Sequence, residues 1–269
     1  MSEKLPSQLV ADRLFMARVS EQAQCFDEMN NFMKEVIENK TSDFTIEERN
    51  LLSVSFKNLI TSDRKALKLV NDIAAFEKFQ KYVSVLTAFR KKLQRTIITK
   101  CTSIISLCEN ECMQLSENTE SRVFFHKMIA DYYRYAAECC MYPSSDFKTQ
   151  YEKFVESSKV FYLEGLKLAA SDLDPCNPIR LGIVLNLSVF YKEISNDLPR
   201  AILITEHALQ NAVEKIDDLG FTPFKDTQTL IEIMNNNLSY WKGELEEKQE
   251  KRDEDQNDLH ASELRMPTN

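Results

Sequence analysis

In the segment DYYRYAAE, residues 131–138, an arginine sits inside an otherwise apolar helical run. Asp131 lies one turn before Arg134, Glu138 one turn after it, and the Tyr135 hydroxyl is its neighbour. Buried arginines are rare unless something pairs with them. A planar guanidinium donates two parallel hydrogen bonds, so its natural partner is an oxyanion. Two further cations, Lys57 and Arg64, stand seven residues apart in SFKNLITSDRK. On a helix that spacing is nearly two turns, about 10.5 Å along one face. Two cations on one helix with an arginine and a phenol on another suit a doubly charged phosphate. Asp131 and Glu138 would then hold Arg134 in place rather than neutralise it.

Two asparagines extend this chemistry. Asn186 in RLGIVLNLSVFYKEI and Asn237 in LIEIMNNNLSYW each offer a donor and an acceptor, which matches an extended peptide backbone. Asn186 shares a face with Val189 and Glu193, and Asn237 with Leu230, Ile233 and Trp241. With Leu185, the apolar members form a wall. Taken singly, each residue has a plain structural reading. Arg134 is a structural ion pair with Asp131 or Glu138. Lys57 and Arg64 are solvated surface, Asn186 is a satisfied core amide, and Leu230 and Ile233 are core. Together they describe a site for a phosphorylated peptide in extended form.

The elements that must position these groups are helices. The chain has 269 residues, 43% of them hydrophobic, enough to bury a core, and only 4 glycines and 7 prolines, scarce punctuation for a β-rich protein. The helical period predicts helices near 8–22, 26–39, 46–76, 81–114, 119–141, 147–170, 177–195, 199–217 and 226–248. Two of these run about 30 residues, longer than the globular norm, and imply an elongated antiparallel array. Thr41, Ser42 and Asp43 precede a helix with Glu47 and Glu48 in its first turn, Asn177-Pro178 caps another, and Asp226 is placed to cap the last. Pro143-Ser144-Ser145 reads as a loop and Leu219-Gly220 through Pro223 as a break. Residues 1–248 are expected to form a single helical domain. Residues 249–269, acidic and without an apolar face, are expected to be a disordered tail.

Several function classes drop out. A net charge of −8 disfavours nucleic acid. Gly165, Gly182, Gly220 and Gly243 lie too far apart to build a phosphate loop or a dinucleotide loop. Neither GxSxG nor HExxH occurs, and three scattered histidines offer poor material for a catalytic triad. No cofactor and no metal are expected. The seven cysteines lack disulfide or metal-ligand spacing and read as reduced packing residues, which points to a cytoplasmic protein without a leader or a membrane span.

At these residues the chain resembles the 14-3-3 phosphopeptide-binding family. EERNLLSVSFKN (47–58), DYYRYAAE (131–138), PIRLGIVLNLSVFYKEI (178–194) and DTQTLIEIMNNNLSYW (226–241) are similar to its signature helices, in matching order. The resemblance implies an all-α protomer of nine antiparallel helices with a concave groove. It implies a homodimer whose clients carry phosphoserine or phosphothreonine. By matching position, Lys57, Arg64, Arg134 and Tyr135 would hold the phosphate, and Asn186 and Asn237 the peptide backbone. Lys127, Asp131, Glu138 and Glu193 would support them, with Leu185, Val189, Leu230, Ile233 and Trp241 on the apolar side. Ala23, Glu28 and Lys92 would lie at the dimer interface.

The chain also departs from the family pattern. Asp63-Arg64 replaces two adjacent arginines, setting a negative charge beside the site. Ala66-Leu67 replaces a Ser-Trp pair, and Asn236 replaces an acid before Asn237. Cys25 and Thr96 replace a charged pair at the dimer face, while Glu28 and Lys92 keep another, so a weakened dimer is expected. The final RMPTN places Arg265 three residues before Thr268, so Thr268, and Ser262 upstream, are candidate phosphosites through which the tail would bind its own groove.

Two functions fit these residues. The first is an adaptor that clamps phosphorylated clients. The alternative is a helical repeat-type scaffold that binds partners without regard to phosphate, and it leaves the matched basic and hydroxyl positions unexplained.

Overall fold

The computed structural model describes residues 6–141, 147–215 and 221–263, with side chains described for 7–141, 147–215 and 225–250. Nine helices and no strand occur among the described residues. They are α1 (Pro6–Gln22), α2 (Phe26–Asn39), α3 (Ile46–Ala75), α4 (Val83–Leu107), α5 (Thr119–Cys140), α6 (Lys148–Asp172), α7 (Pro178–Glu193), α8 (Leu198–Val213) and α9 (Phe221–Glu263). A 3-10 segment, Glu77–Tyr82, leads into α4, and a π segment, Cys108–Cys112, with a last turn Met113–Leu115, leads out of it. The chain divides into two compact units between Leu173 and Asp174, whereas the sequence reading treats residues 1–248 as one domain.

In the first unit α1 packs on α2, α3 on α4, and α5 on both α4 and α6, the last being the most extensive contact. The α5 helix carries much of the core: Val123, Phe125, Ile129, Ala130, Ala136 and Ala137 are fully buried. Phe125 meets Phe44 edge-on with ring centroids 5.1 Å apart, and Tyr132 meets Phe56 at 6.3 Å. The helix starts have local causes. Thr45 and Glu48 form a reciprocal capping box at α3, the Thr45 hydroxyl accepting from Glu48 N at 3.2 Å and the Glu48 carboxylate from Thr45 N at 2.7 Å. The helix begins at Ile46, where the sequence reading starts it, after Thr41–Asp43. Asp43 staples the loop before α5, its carboxylate accepting from Glu117 N and Asn118 N, both at 3.0 Å. Asn118 then caps α5, accepting from Ser121 N at 2.9 Å.

In the second unit Asn177 caps α7 through bonds from Ile179 N at 2.9 Å and Arg180 N at 3.4 Å, with Pro178 in the first turn, as the sequence predicts. Asp197 caps α8, accepting from Arg200 N at 3.1 Å. The α9 helix packs on α7 and α8, and salt bridges Lys192–Glu244 at 3.0 Å and Lys242–Glu206 at 2.7 Å fix it to each.

Two expectations are corrected here. Asp226 lies inside α9 rather than at its cap. The α9 helix also continues to Glu263 instead of ending near residue 248. The segment beyond is rich in Glu, Lys, Gln and Arg, all good helix formers. The Pro143–Ser145 loop, the Leu219–Gly220 break and Thr268 lie outside the described residues, as does the side chain of Ser262.

Candidate functional site

Of the anion-binding candidates of the first unit, Arg64, Arg134 and Tyr135 converge where α3 and α5 meet. Arg134 projects from the buried body of α5 and is 7% exposed. Its Nη1 donates to Glu138 Oε1 at 2.6 Å, its Nε donates to the Tyr162 hydroxyl of α6 at 3.2 Å, and its Nη2 lies 3.6 Å from Asp131 Oδ1. Arg64 reaches across from α3, and its Nη2 donates to the other Glu138 oxygen, Oε2, at 2.5 Å. One carboxylate therefore joins both guanidiniums. Both also lie over the Tyr135 ring, Arg64 Cζ 4.1 Å and Arg134 Cζ 4.5 Å from its centroid. Lys57 is exposed on the same face of α3, seven residues before Arg64.

A second layer supports the first. Asp131, itself buried, accepts a short hydrogen bond from the Tyr162 hydroxyl and another from Lys127 Nζ at 3.0 Å. Burial alone would push the Asp131 carboxyl up. The Lys127 and Arg134 charges and the Tyr162 bond more than offset it, so the carboxyl lies below its ordinary value. Burial likewise opposes the Arg134 charge, but Tyr162, Tyr135, Asp131 and Glu138 outweigh it and hold the guanidinium firmly protonated. Two acids and a phenol thus fix the position of the buried cation. Arg49 offers a contrast. It is equally buried, and Phe44 O at 3.3 Å, the Ser121 hydroxyl at 2.7 Å and Glu120 at 3.3 Å surround it as a structural strut.

Sequence reasoning missed two of these groups. Tyr162 is fully buried in KVFYLEGL, and a tyrosine hydroxyl with no exposure needs a polar partner, which was the available signal. Lys100 lies in the apolar run IITKCTSII of α4. Its Nζ pairs with Asp63 Oδ2 at 2.7 Å and donates to Leu59 O at 3.0 Å. Asp63 is therefore not a loose negative charge beside Arg64, as the sequence implied.

In the second unit Leu185, Asn186 and Val189 are half-buried on α7, and Glu193 is exposed at the end of that helix. On α9 Leu230 and Asn237 are half-buried and Ile233 is exposed. Trp241, read as wall, is 5% exposed and belongs to this unit's core as much as to its surface. At the expected dimer face, Ala23, Glu28 and Lys92 are exposed, together with large apolar side chains, Phe15 and Val19 on α1 and Val85 and Phe89 on α4. Six cysteines are buried, as expected of packing residues, and Cys25 is exposed. Among the described residues no cluster of His, Cys, Asp and Glu could hold a metal ion, and no helix is long and apolar enough to cross a membrane.

Fold and motifs define an all-α regulatory adaptor rather than an enzyme. The 14-3-3 protein family profile matches residues 16–242. The chain is 36% identical over 241 residues to 14-3-3-like protein B of Glycine max, covering 87% of this chain and 94% of that one. It is 34% identical over 253 residues to 14-3-3 protein 10 of Solanum lycopersicum, covering 92% and 98%. To 14-3-3 protein 3 of Entamoeba histolytica it is 33% identical over 233 residues, covering 86% and 94%. The chain belongs to the 14-3-3 family, and its role is that of the family: a non-enzymatic adaptor that binds phosphopeptides of client proteins and dimerises.

Proposed function

We propose that the phosphate of a client phosphoserine or phosphothreonine binds at Lys57, Arg64, Arg134 and Tyr135. The observation that carries this reading is the single Glu138 carboxylate joined to both Arg64 and Arg134, with Tyr135 beneath the two guanidiniums. Two arginines that converge on one carboxylate are spaced to converge on a phosphate, whose oxygens accept from planar forks in the same way. The incoming dianion takes Arg64 donors now on Glu138, while Asp131, Tyr162 and Lys127 keep Arg134 in position. Asn186 and Asn237 then grip the main chain of an extended peptide. Leu185, Val189, Leu230, Ile233 and the edge of Trp241 face its apolar side chains, and Glu193 supports the polar end.

The homodimer is weaker than is usual for this family. Cys25 and Thr96 cannot form an ion pair, which leaves Glu28–Lys92 and the apolar contacts of Phe15, Val19, Val85 and Phe89. The protein acts in the cytoplasm on phosphorylated clients, with neither nucleic acid nor membrane as a partner. Phosphorylation of Thr268 or Ser262 would make the C-terminal tail a competing ligand for the groove of this or a neighbouring copy. A fluorescence-anisotropy titration with a phosphoserine peptide and its unphosphorylated twin tests the reading. Binding confined to the phosphorylated form is expected, and equal affinities would return the protein to the scaffold alternative.

A further inference from the structure

We propose that Lys100 is a positioning residue of the phosphate site. It acts through Asp63, cancelling the acid that precedes Arg64 in the chain and so preserving the positive charge that attracts the client's phosphate. The inference rests on the phosphate-site reading above. Three observations carry it. Asp63 precedes Arg64 directly on α3, so it lies beside the site but about 100° around the helix, facing α4. Lys100 is the group it faces, at 2.7 Å, and the same ammonium is anchored a second time on Leu59 O at 3.0 Å. Lys100 neighbours the buried Ile97, Cys101 and Ile104 on α4, and its ammonium reaches α3 at both Asp63 and Leu59 O, so the acid opposite has a dedicated partner.

The charge balance shows why the pair matters. Lys57, Arg64, Lys127 and Arg134 set four cations against the two carboxylates Asp131 and Glu138. That surplus matches a phosphate dianion, and an uncancelled Asp63 would halve it. The Asp63 and Lys100 side chains are 21% and 31% exposed, so water weakens but does not abolish the field of either. One charge acting through partly solvated protein on a dianion changes affinity about two- to fivefold at low ionic strength. Lys100 touches neither phosphate nor peptide in this account, and Asp63 and Lys100 form a unit that neither attracts nor repels the ligand.

A mere strut between α3 and α4 predicts something different, and that makes the proposal testable. The measurements are fluorescence-anisotropy titrations of a fluorescein-labelled phosphoserine peptide against wild type, Lys100→Met, Asp63→Asn and the double variant, at 50 mM and 500 mM salt, with thermal melts of each. We expect Lys100→Met to weaken binding about threefold at low salt and Asp63→Asn to tighten it by a similar factor. The double variant should return to the wild-type affinity, and all differences should shrink at high salt. Both single variants should lose thermal stability to a similar degree, since each breaks the same bridge. Affinity changes of the same sign in the two single variants would assign the pair a structural role and overturn the proposal. No change in either would do the same. Arg64→Ala is the control for the underlying reading. If it leaves affinity unchanged, or if wild type does not discriminate the phosphorylated peptide, the site assignment fails and this inference falls with it.

Discussion

Arg64 on α3 and Glu138 on α5, 74 residues apart in sequence, meet at 2.5 Å. The contact ties the more exposed arginine of the site to the carboxylate that also holds the buried one. It separates two settings: Arg64 is partly open to solvent with Glu138 as its ion-pair partner, and Arg134 is buried among Glu138, Asp131 and Tyr162.

The two arginines should therefore behave differently on substitution. Arg64→Ala removes a charge-assisted contact worth about 1.5–3 kcal/mol, roughly tenfold to over a hundredfold in phosphopeptide affinity. The melting temperature should change little, because the Arg64 side chain is 36% exposed. Arg134→Ala abolishes binding but also leaves Asp131 buried with one cation fewer, and breaking such a pair costs about 3–5 kcal/mol. Calorimetric melts beside binding titrations check both. An Arg134→Ala protein as stable as wild type would contradict the buried network.

Tyr162→Phe deletes a hydroxyl that donates to Asp131 and accepts from Arg134 Nε. It leaves two buried polar groups short of a partner, so a loss of about 1–3 kcal/mol of stability is expected. Phosphopeptide affinity should fall less than in Arg64→Ala, since the hydroxyl touches no ligand. Chemical denaturation and anisotropy on the same sample decide this. A larger affinity loss than that of Arg64→Ala would place Tyr162 in the ligand's own contacts.

Asp131 makes stability depend on acid. Its carboxyl is held below the ordinary value by Lys127, Arg134 and Tyr162 against the opposing effect of burial. A folded value below the unfolded one, about 3.9, contributes stability that is complete above that pH and is lost as pH falls through the folded value. Melting curves between pH 6 and 2 should show a steeper acid decline for wild type than for Asp131→Asn, which starts from a lower plateau. Parallel curves would show that Asp131 carries no such linkage.

Thiol chemistry should distinguish one cysteine from six. Cys25 is exposed and the others are buried. Burial pushes Cys101 up to about 12, with the Arg64 charge pulling the other way, and pushes Cys140 up to about 11. Maleimide labelling of the native protein at pH 7 should modify Cys25 quickly, and the remainder only on unfolding. Rapid labelling of more than one thiol, mapped by mass spectrometry, would contradict this.

Dimer strength follows from residues the chain lacks. Without a Cys25–Thr96 ion pair, a surface term of up to about 1 kcal/mol per contact is missing. Light scattering against concentration should show dissociation by the nanomolar range, and a mass that stays dimeric there would contradict the weakening.

Much of this was legible in the sequence because helical period is a local signal. The start of α7 followed from Asn177-Pro178, and the shared faces of α3 and α5 from residue spacing alone. What was not legible depends on pairs far apart in the chain. Nothing near Asp63 announces that Lys100, 37 residues later, cancels it. Because of that pairing, replacing Asp63 with arginine would set two cations against each other across α3 and α4. Tyr162 was hidden for the same reason. The α9 helix runs past residue 248 because Glu, Lys, Gln and Arg favour helix without any apolar period to announce it.

The central claim is that one phosphate group is held between Arg64 and Arg134. Its most direct measurement is a crystal structure of the protein with a bound phosphoserine peptide. The account predicts phosphate oxygens within hydrogen-bond distance of both guanidiniums and of the Tyr135 hydroxyl, with Lys57 turned toward them and the Arg64–Glu138 contact lengthened or shared. A phosphate seated elsewhere, with Arg64 and Arg134 still closed on Glu138, would contradict it.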